Sequence, residues 1–300
     1  RNKWGATLSS ASRRFQISAQ SAGITVPSAT TIAALAAAKP HPRALPAGAS
    51  FAGIKAAALG GEYNAAFNAY LRAAETYRAE TPPAVPADRT RADFSTDMEY
   101  QAWLKTLPVD ASNERKAIET LSYAAYFTGD SSYALAGIVR LENLAKWPTR
   151  GVTSEANQDQ ANREVYVGLS FGLDLYADRL SASQTALVVN ALRDRILQAM
   201  EKWPSLDQSP YQAHQVNASR FVLMALLGAV GTSGFPEARS WLMQAWDLWI
   251  TTGGTWGANG EYGNSTNYTW YLGIPLAQTA AMVRLVTNTD LSRWPDISKY

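Results

Sequence analysis

The chain has 300 residues, 47% of them hydrophobic and 17% charged, enough to bury a substantial core as one large domain or two small ones. A formal net charge of +2 without any Lys/Arg run gives no signature of a nucleic-acid binder, and no apolar stretch approaches the roughly 20 residues that span a bilayer. With no cysteine and two histidines, disulfides and thiolate sites are excluded, a histidine-based metal cluster is disfavoured, and no cofactor is expected.

The chain opens Arg1-Asn2-Lys3-Trp4, with neither an initiator Met nor an apolar signal core, and stops at Ile297-Ser298-Lys299-Tyr300. Both ends read as cuts in a longer protein; the alternative is a mature domain with an ordinary start. Residues 1–26 alternate around Phe15, Ile17 and Ala19, then Ile24 and Val26, which predicts short strands, the remnant of an upstream β domain or a linker. From Pro27 the pattern becomes helical. Ser28 to Lys39 is Ala-rich and ends at Pro40, and Glu62 to Glu80 spaces Tyr63, Phe67, Tyr70 and Ala74 as one helix face. Amphipathic runs follow at about 94–106, 113–127, 131–146, 161–178, 182–202, 213–230, 236–250 and 268–287. Between them lie Pro-rich crossings, Lys39 to Pro46 and Thr81 to Pro86, read as surface connections with His41 structural or exposed. Turn residues such as Thr128-Gly129-Asp130 and Gly231-Thr232-Ser233-Gly234 predict antiparallel hairpins. No motif recurs at a fixed period, which disfavours a solenoid. The expected fold is mainly all-α: an incomplete α/α toroid of helical hairpins over 27–290, with a short β remnant before it and a linker from 291 to 300.

Two segments carry chemistry. Tyr211 to Arg220 opens a helix that turns wholly apolar at Phe221–Leu227, with His214 and Asn217 three residues apart near its start. A helix N-terminus favours anions and disfavours a protonated histidine, so a neutral His214 and the Asn217 amide suit a substrate carboxylate. The bland alternative is a polar helix start with a satisfied histidine. Gly253 to Tyr271 is a Gly-rich loop crowded with aromatics and without the Gly-Lys-Ser/Thr ending of a phosphate loop. Its Trp256, Glu261, Tyr262, Asn264 and Tyr271 offer ring faces and polar groups as a carbohydrate cleft does; the alternative is a loop capping the core.

Taken together, His214-x-x-Asn217 and a Tyr-rich Gly loop further on resemble the heparinase II/III-like polysaccharide lyase superfamily, most closely its oligoalginate lyases. Arg163, then Leu173 to Leu180, resembles the family's helix ending Tyr-Asp-x-x-Tyr-Asp-x-Leu, with Leu173 and Ala177 at the two Tyr positions. Ala213 to Leu227 is similar to its His-bearing helix, Tyr262 to Tyr268 to the loop with the catalytic Tyr, and Arg13 to Pro46 to the approach to the toroid. Some relatives carry Glu where this chain has Asn217. The family also has a C-terminal β-sandwich that helps close the cleft, and nothing of that kind is in this sequence.

The resemblance implies β-elimination at the 4-O-glycosidic bond of a uronic acid, by a bacterial enzyme of the periplasm, the exterior or the cytoplasm. The implied catalytic residues are His214, Tyr268 and Asn217; the implied substrate-binding residues are Arg220, Trp256, Glu261, Tyr262, Asn264, Tyr271 and Arg163. The partners it implies are an anionic uronate polysaccharide or oligosaccharide, alginate ahead of heparin or heparan sulfate, and the β-sandwich, with no nucleic acid and no membrane. Tyr268 is read as the general acid; where the C5 proton and O4 share a face, as in mannuronate or glucuronate, it can serve as base too, and for guluronate or iduronate the candidate base is His214 or a histidine from the β-sandwich. The rivals are an α/α glycoside hydrolase, which needs two carboxylates such as Asp174, Asp178 or Glu261, and a non-catalytic carbohydrate-binding domain.

Overall fold

The computed structural model describes residues 26–45, 48–207, 212–253 and 266–291, and of residues 207, 251–253 and 266–272 the backbone alone. Ten α-helices and no strand occupy the described residues. They are α1 Ala29–Ala38, α2 Phe51–Gly60, α3 Asn64–Ala79, α4 Asp97–Thr128, α5 Ser131–Ala145, α6 Asp159–Leu175, α7 Ala182–Met200, α8 Ala213–Ala229, α9 Ala238–Gly253 and α10 Thr266–Thr287. The expected strands before Pro27 and the segment 292–300 lie outside the described residues.

Local chemistry sets the ends. Thr96 and Glu99 form a reciprocal cap at the start of α4, as Ser181 and Gln184 do for α7. Gly129, at φ 75°, closes α4 in the left-handed region, and Asp130 accepts from the Ser132 amide to open α5.

The structure departs from the sequence reading in three places. The runs at 94–106 and 113–127 are one helix, α4, which passes through Pro108. Proline has no N–H, so the Leu104 carbonyl one turn back loses its helical donor. Gln158 supplies the replacement, its Nε2 donating to Leu104 O at 3.1 Å. Helix α2 was not expected: Phe-Ala-Gly-Ile-Lys-Ala-Ala-Ala-Leu-Gly has little amphipathic contrast and buries no residue fully. The Lys39 to Pro46 linker is also more than a surface crossing. Arg43 is buried, and Asp174 accepts from the Arg43 amide at 2.9 Å and from His41 Nδ1 at 2.6 Å.

The helices pack in two layers. Helices α4, α6, α8 and α10 pack in that order as a row, and α3, α5 and α7 follow one another on its back; α9 packs on α8, and α1 on α9 and α10. The row is the core. Helices α6 and α8 bury almost every residue, as a helix apolar all round does. Polar side chains tie the two together: Tyr166 donates to Ala218 O at 3.2 Å and Ser170 to Ala225 O. Gly228 permits that approach, since a Cβ there would stand 2.6 Å from Ser170 Oγ.

Candidate active site

A cleft of about 810 Å³ lies on the inner side of the row, lined by all four of its helices. It narrows into a smaller cavity of about 280 Å³, with which it shares Arg115, Phe221 and Gln278. Residue numbers rise together from cleft to cavity: Ser112 to Tyr123 on α4, Arg163 to Asp174 on α6, Asn217 to Met224 on α8, and Ile274 to Leu285 on α10. The four helices therefore run parallel, and the cleft sits toward their N-terminal ends. Helices α4 and α10, at opposite ends of the row, both line it, so the row curves around the cleft.

The C-terminal ends of the row are closed by the α1–α2 linker. Lys39 Nζ donates to Leu285 O on α10, Arg43 donates to Gly228 O on α8 at 2.7 Å, and Asp174 on α6 holds the backbone amides of Arg43 and Ala44. Cations on C-terminal carbonyls are favoured by the helix dipoles. Ala44 from this linker lines the inner cavity.

Beside the cleft, Asp159 in the first turn of α6 joins two of the expected site residues. Its Oδ2 lies 2.8 Å from His214 Nδ1 and 3.0 Å from Arg163. His214 keeps 39% of its side chain exposed, whereas Arg163 keeps 3%. Gln158 and Gln160, on either side of Asp159, line the cleft, as do Arg163 and Asn217. Burial by itself would raise the Asp159 carboxyl, but the His214 hydrogen bond and the Arg163 charge outweigh it and hold Asp159 below its ordinary value. A carboxylate bonded to Nδ1 fixes the tautomer with the proton on Nδ1, so Nε2 is the basic nitrogen.

Asn217 is 1% exposed, and its Oδ1 accepts no hydrogen bond from the described residues. A buried amide facing a cleft with an unmet acceptor is costly unless a ligand or water meets it. Arg163 also sits 5.8 Å from the centroid of the Phe221 ring, which lines the cleft one turn below Asn217. Arg115, although it lines the cleft, is already committed to Glu119 at 2.9 Å and Glu164 at 2.7 Å.

Sequence reasoning missed Asp159 and Glu155. Glu155 lies in the connection before α6, where its Oε2 accepts from Asn162 at 2.9 Å. Burial, reinforced by the neighbouring Asp159 charge, pushes its carboxyl up to about 7. The polar run Glu155 to Arg163 ahead of an apolar helix was the available signal.

Among the other expected site residues, Arg220 is fully buried in α8 and does not line the cleft. Trp256, Glu261, Tyr262 and Asn264 lie outside the described residues. Tyr268 and Tyr271 fall in the first turns of α10, whose backbone is helical, and their side chains lie outside the described residues. Because α10 runs parallel to α8, its start is at the cleft end of the row. A third concavity, between α2, α3 and α4, is lined by Ile54, Tyr63, Phe67, Tyr70, Tyr123 and Phe127 and offers few polar groups for chemistry. Among the described residues no group of His, Asp or Glu is placed to hold a metal ion, and no helix is long and apolar enough to cross a membrane. No protein-family model and no curated protein matches the chain.

Proposed function

We propose that the chain is the helical catalytic part of a polysaccharide lyase acting on a uronic-acid polymer or oligosaccharide, alginate in preference to heparin or heparan sulfate. The observation that carries this reading is the His214–Asp159 pair beside a cleft whose wall holds Arg163 and the buried amide of Asn217. The parallel row α4, α6, α8, α10 with α5, α7 and α9 returning behind it supports an incomplete α/α toroid, closed at one end by the linker.

The C5 proton of a uronate lies α to a carboxylate and is barely acidic while that group is fully charged. Arg163 supplies positive charge and Asn217 an amide to the substrate carboxylate, and both stabilise the enolate-like charge that develops as C5 loses its proton. The Asn217 amide carries a donor, Nδ2, beside the unmet acceptor, and Nδ2 is the atom suited to a carboxylate. His214 Nε2 takes the C5 proton, the C5–H electron pair forms the C4–C5 double bond, and the C4–O4 bond breaks. Tyr268, on the first turns of α10, gives its phenolic proton to the departing O4. Arg163 takes the place that the resemblance gave to Arg220, because Arg220 has no face on the cleft.

One observation favours a second reading, an α/α glycoside hydrolase. Glu155 and Asp159, four residues apart, have carboxyls displaced in opposite directions, as an acid and a base would. Ultraviolet absorbance during incubation with alginate and other uronate polymers tests both. Elimination creates a conjugated double bond that absorbs, and hydrolysis releases reducing ends without it. Reducing ends with no absorbance would replace the first reading by the second, and neither signal would leave only a binding domain.

A further inference from the structure

The charges around the cleft are unevenly partnered. Arg163 is paired with Asp159, and Arg115 with Glu119 and Glu164. The two remaining cations of the lining, Lys105 and Lys116, are exposed and make no ion pair among the described residues. Both stand on α4, eleven residues and three turns apart on one face, about 16 Å along the axis at about 1.5 Å per residue. Ser112 and Asn113 lie between them on the same wall. The opposite wall, from α8 and α10, is uncharged: Asn217, Phe221, Ile274, Pro275 and Gln278.

We infer that α4 is a cationic rail for an extended anionic oligosaccharide, with Lys105 and Lys116 contacting acidic groups on sugars well apart along one chain. This deepens the uronate reading of the cleft and rests on it. That distance of about 16 Å separates the two lysine backbones, and a single ring would have to draw both flexible stems inward to meet them, so the rail rewards length. The asymmetry of the walls gives the orientation of the sugars that flank the reacting one, whose own carboxylate meets Arg163 and Asn217: their carboxylates turn toward α4, and their apolar ring faces turn toward Phe221, Ile274 and Pro275. At about 810 Å³ the cleft has the volume of several sugar rings, and the helix fixes the spacing of the two lysine backbones.

The test is calorimetric binding of mannuronate oligomers of one, two, three, four and six residues, at low and at high salt, to the wild-type chain and to Lys105→Ala, Lys116→Ala and the double variant. Both lysines are exposed and alanine is the best helix former, so the variants keep the fold. Affinity should rise with length up to four or more residues. Each substitution should weaken the tetramer and hexamer about two- to five-fold, and the pair on the order of ten-fold. The monomer should be unaffected by at least one of the two, and the loss should shrink at high salt as the exposed charges are screened. Lys55→Ala, on α2 and outside the lining, is the control. Equal losses at every length, unchanged affinity in the double variant, equal binding of a neutral oligosaccharide, or tighter binding of a single-stranded oligonucleotide would each overturn the rail. Turnover is scored separately: length-dependent, lysine-dependent binding without any absorbing product would sink the lyase reading and keep the rail, and turnover with binding blind to length would do the reverse.

Discussion

Replacing Asp159 with Asn keeps size and shape but withdraws the charge that two neighbours use. In the native chain Asp159 Oδ2 holds His214 Nδ1 at 2.8 Å and Arg163 at 3.0 Å. Removing one partner of a buried charge pair costs about 3–5 kcal/mol. Asp159 retains 22% side-chain exposure, so water recovers part of that, and a loss on the order of 2 kcal/mol is expected in urea unfolding at neutral pH. The effect on rate should be larger than the effect on stability. An asparagine can offer its amide N–H to Nδ1, which moves the imidazole proton to Nε2 and takes away the base. Initial rates of absorbance increase on alginate should then fall on the order of 10²–10⁴-fold. Affinity for a uronate tetramer should change far less, because Arg163 and Asn217 remain in the wall, so the loss appears in kcat more than in KM. The nitrogen chemical shifts of His214 report the tautomer directly and would not move if Asp159 only supported the fold. A folded Asp159→Asn chain with a rate within about three-fold of wild type, or with the His214 tautomer unchanged, would refute the positioning role.

Tyr268→Phe, which keeps the ring and removes the transferable proton, should cost on the order of 10²–10⁴-fold in absorbance rate with binding largely preserved. Asn217→Ala should cost roughly 10²–10³-fold through lost stabilisation of the substrate carboxylate, measured in the same assay. Glu155→Gln tests the carboxyl held near 7 against an ordinary 4.5. A raised carboxyl binds a proton on folding, so wild-type stability falls as pH rises from about 4.5 to about 7 and stays reduced above that. The glutamine variant should therefore gain up to about 3 kcal/mol at pH 8 and nothing near pH 4.5, by denaturant titration at both; the partly exposed edge of Glu155 makes that figure a ceiling. Asp174→Ala should lower stability by about 3–5 kcal/mol, since it strips the buried carboxylate from His41 and the Arg43 amide and leaves the linker's charges uncompensated.

The helices were legible because apolar residues recur at helical spacing between turn-rich separators. The 3.6-residue pattern marked α1, α3 and α5 to α10 within a few residues and split α4 in two, and α2 failed because an Ala/Gly-rich stretch with no buried residue has no face to read. The gap left between the runs 94–106 and 113–127 contains Pro108, where the backbone bond that proline removes is replaced by a side chain 50 residues on. The candidate site was legible only in the residues that motif order could mark, His214, Asn217 and Arg163. Asp159 was not, because its importance lies in a contact with a helix 55 residues away. Arg220 shows the converse limit. One turn of helix separates Asn217 in the cleft wall from a guanidinium enclosed in the core, and spacing alone does not tell which face a charge takes.

The two ends of the inner row explain why the cleft is where it is. Four parallel helices leave amide donors and positive dipole ends at one end, and unmet carbonyls and negative ends at the other. At the negative end the chain supplies its own cations, Lys39 and Arg43, on the carbonyls of Leu285 and Gly228, and this closes the inner cavity. At the positive end, among the described residues, the lining carries an excess of cations over carboxylates, and the one carboxylate beside it that the sequence places in the first turn of α6 is taken up by His214 and Arg163. The proposed anionic ligand would complete at that end what the linker completes at the other. For the proposed chemistry the consequence is positional: Asp159 and the start of α8 hold His214 beside the same helix ends to which an anionic sugar would be drawn.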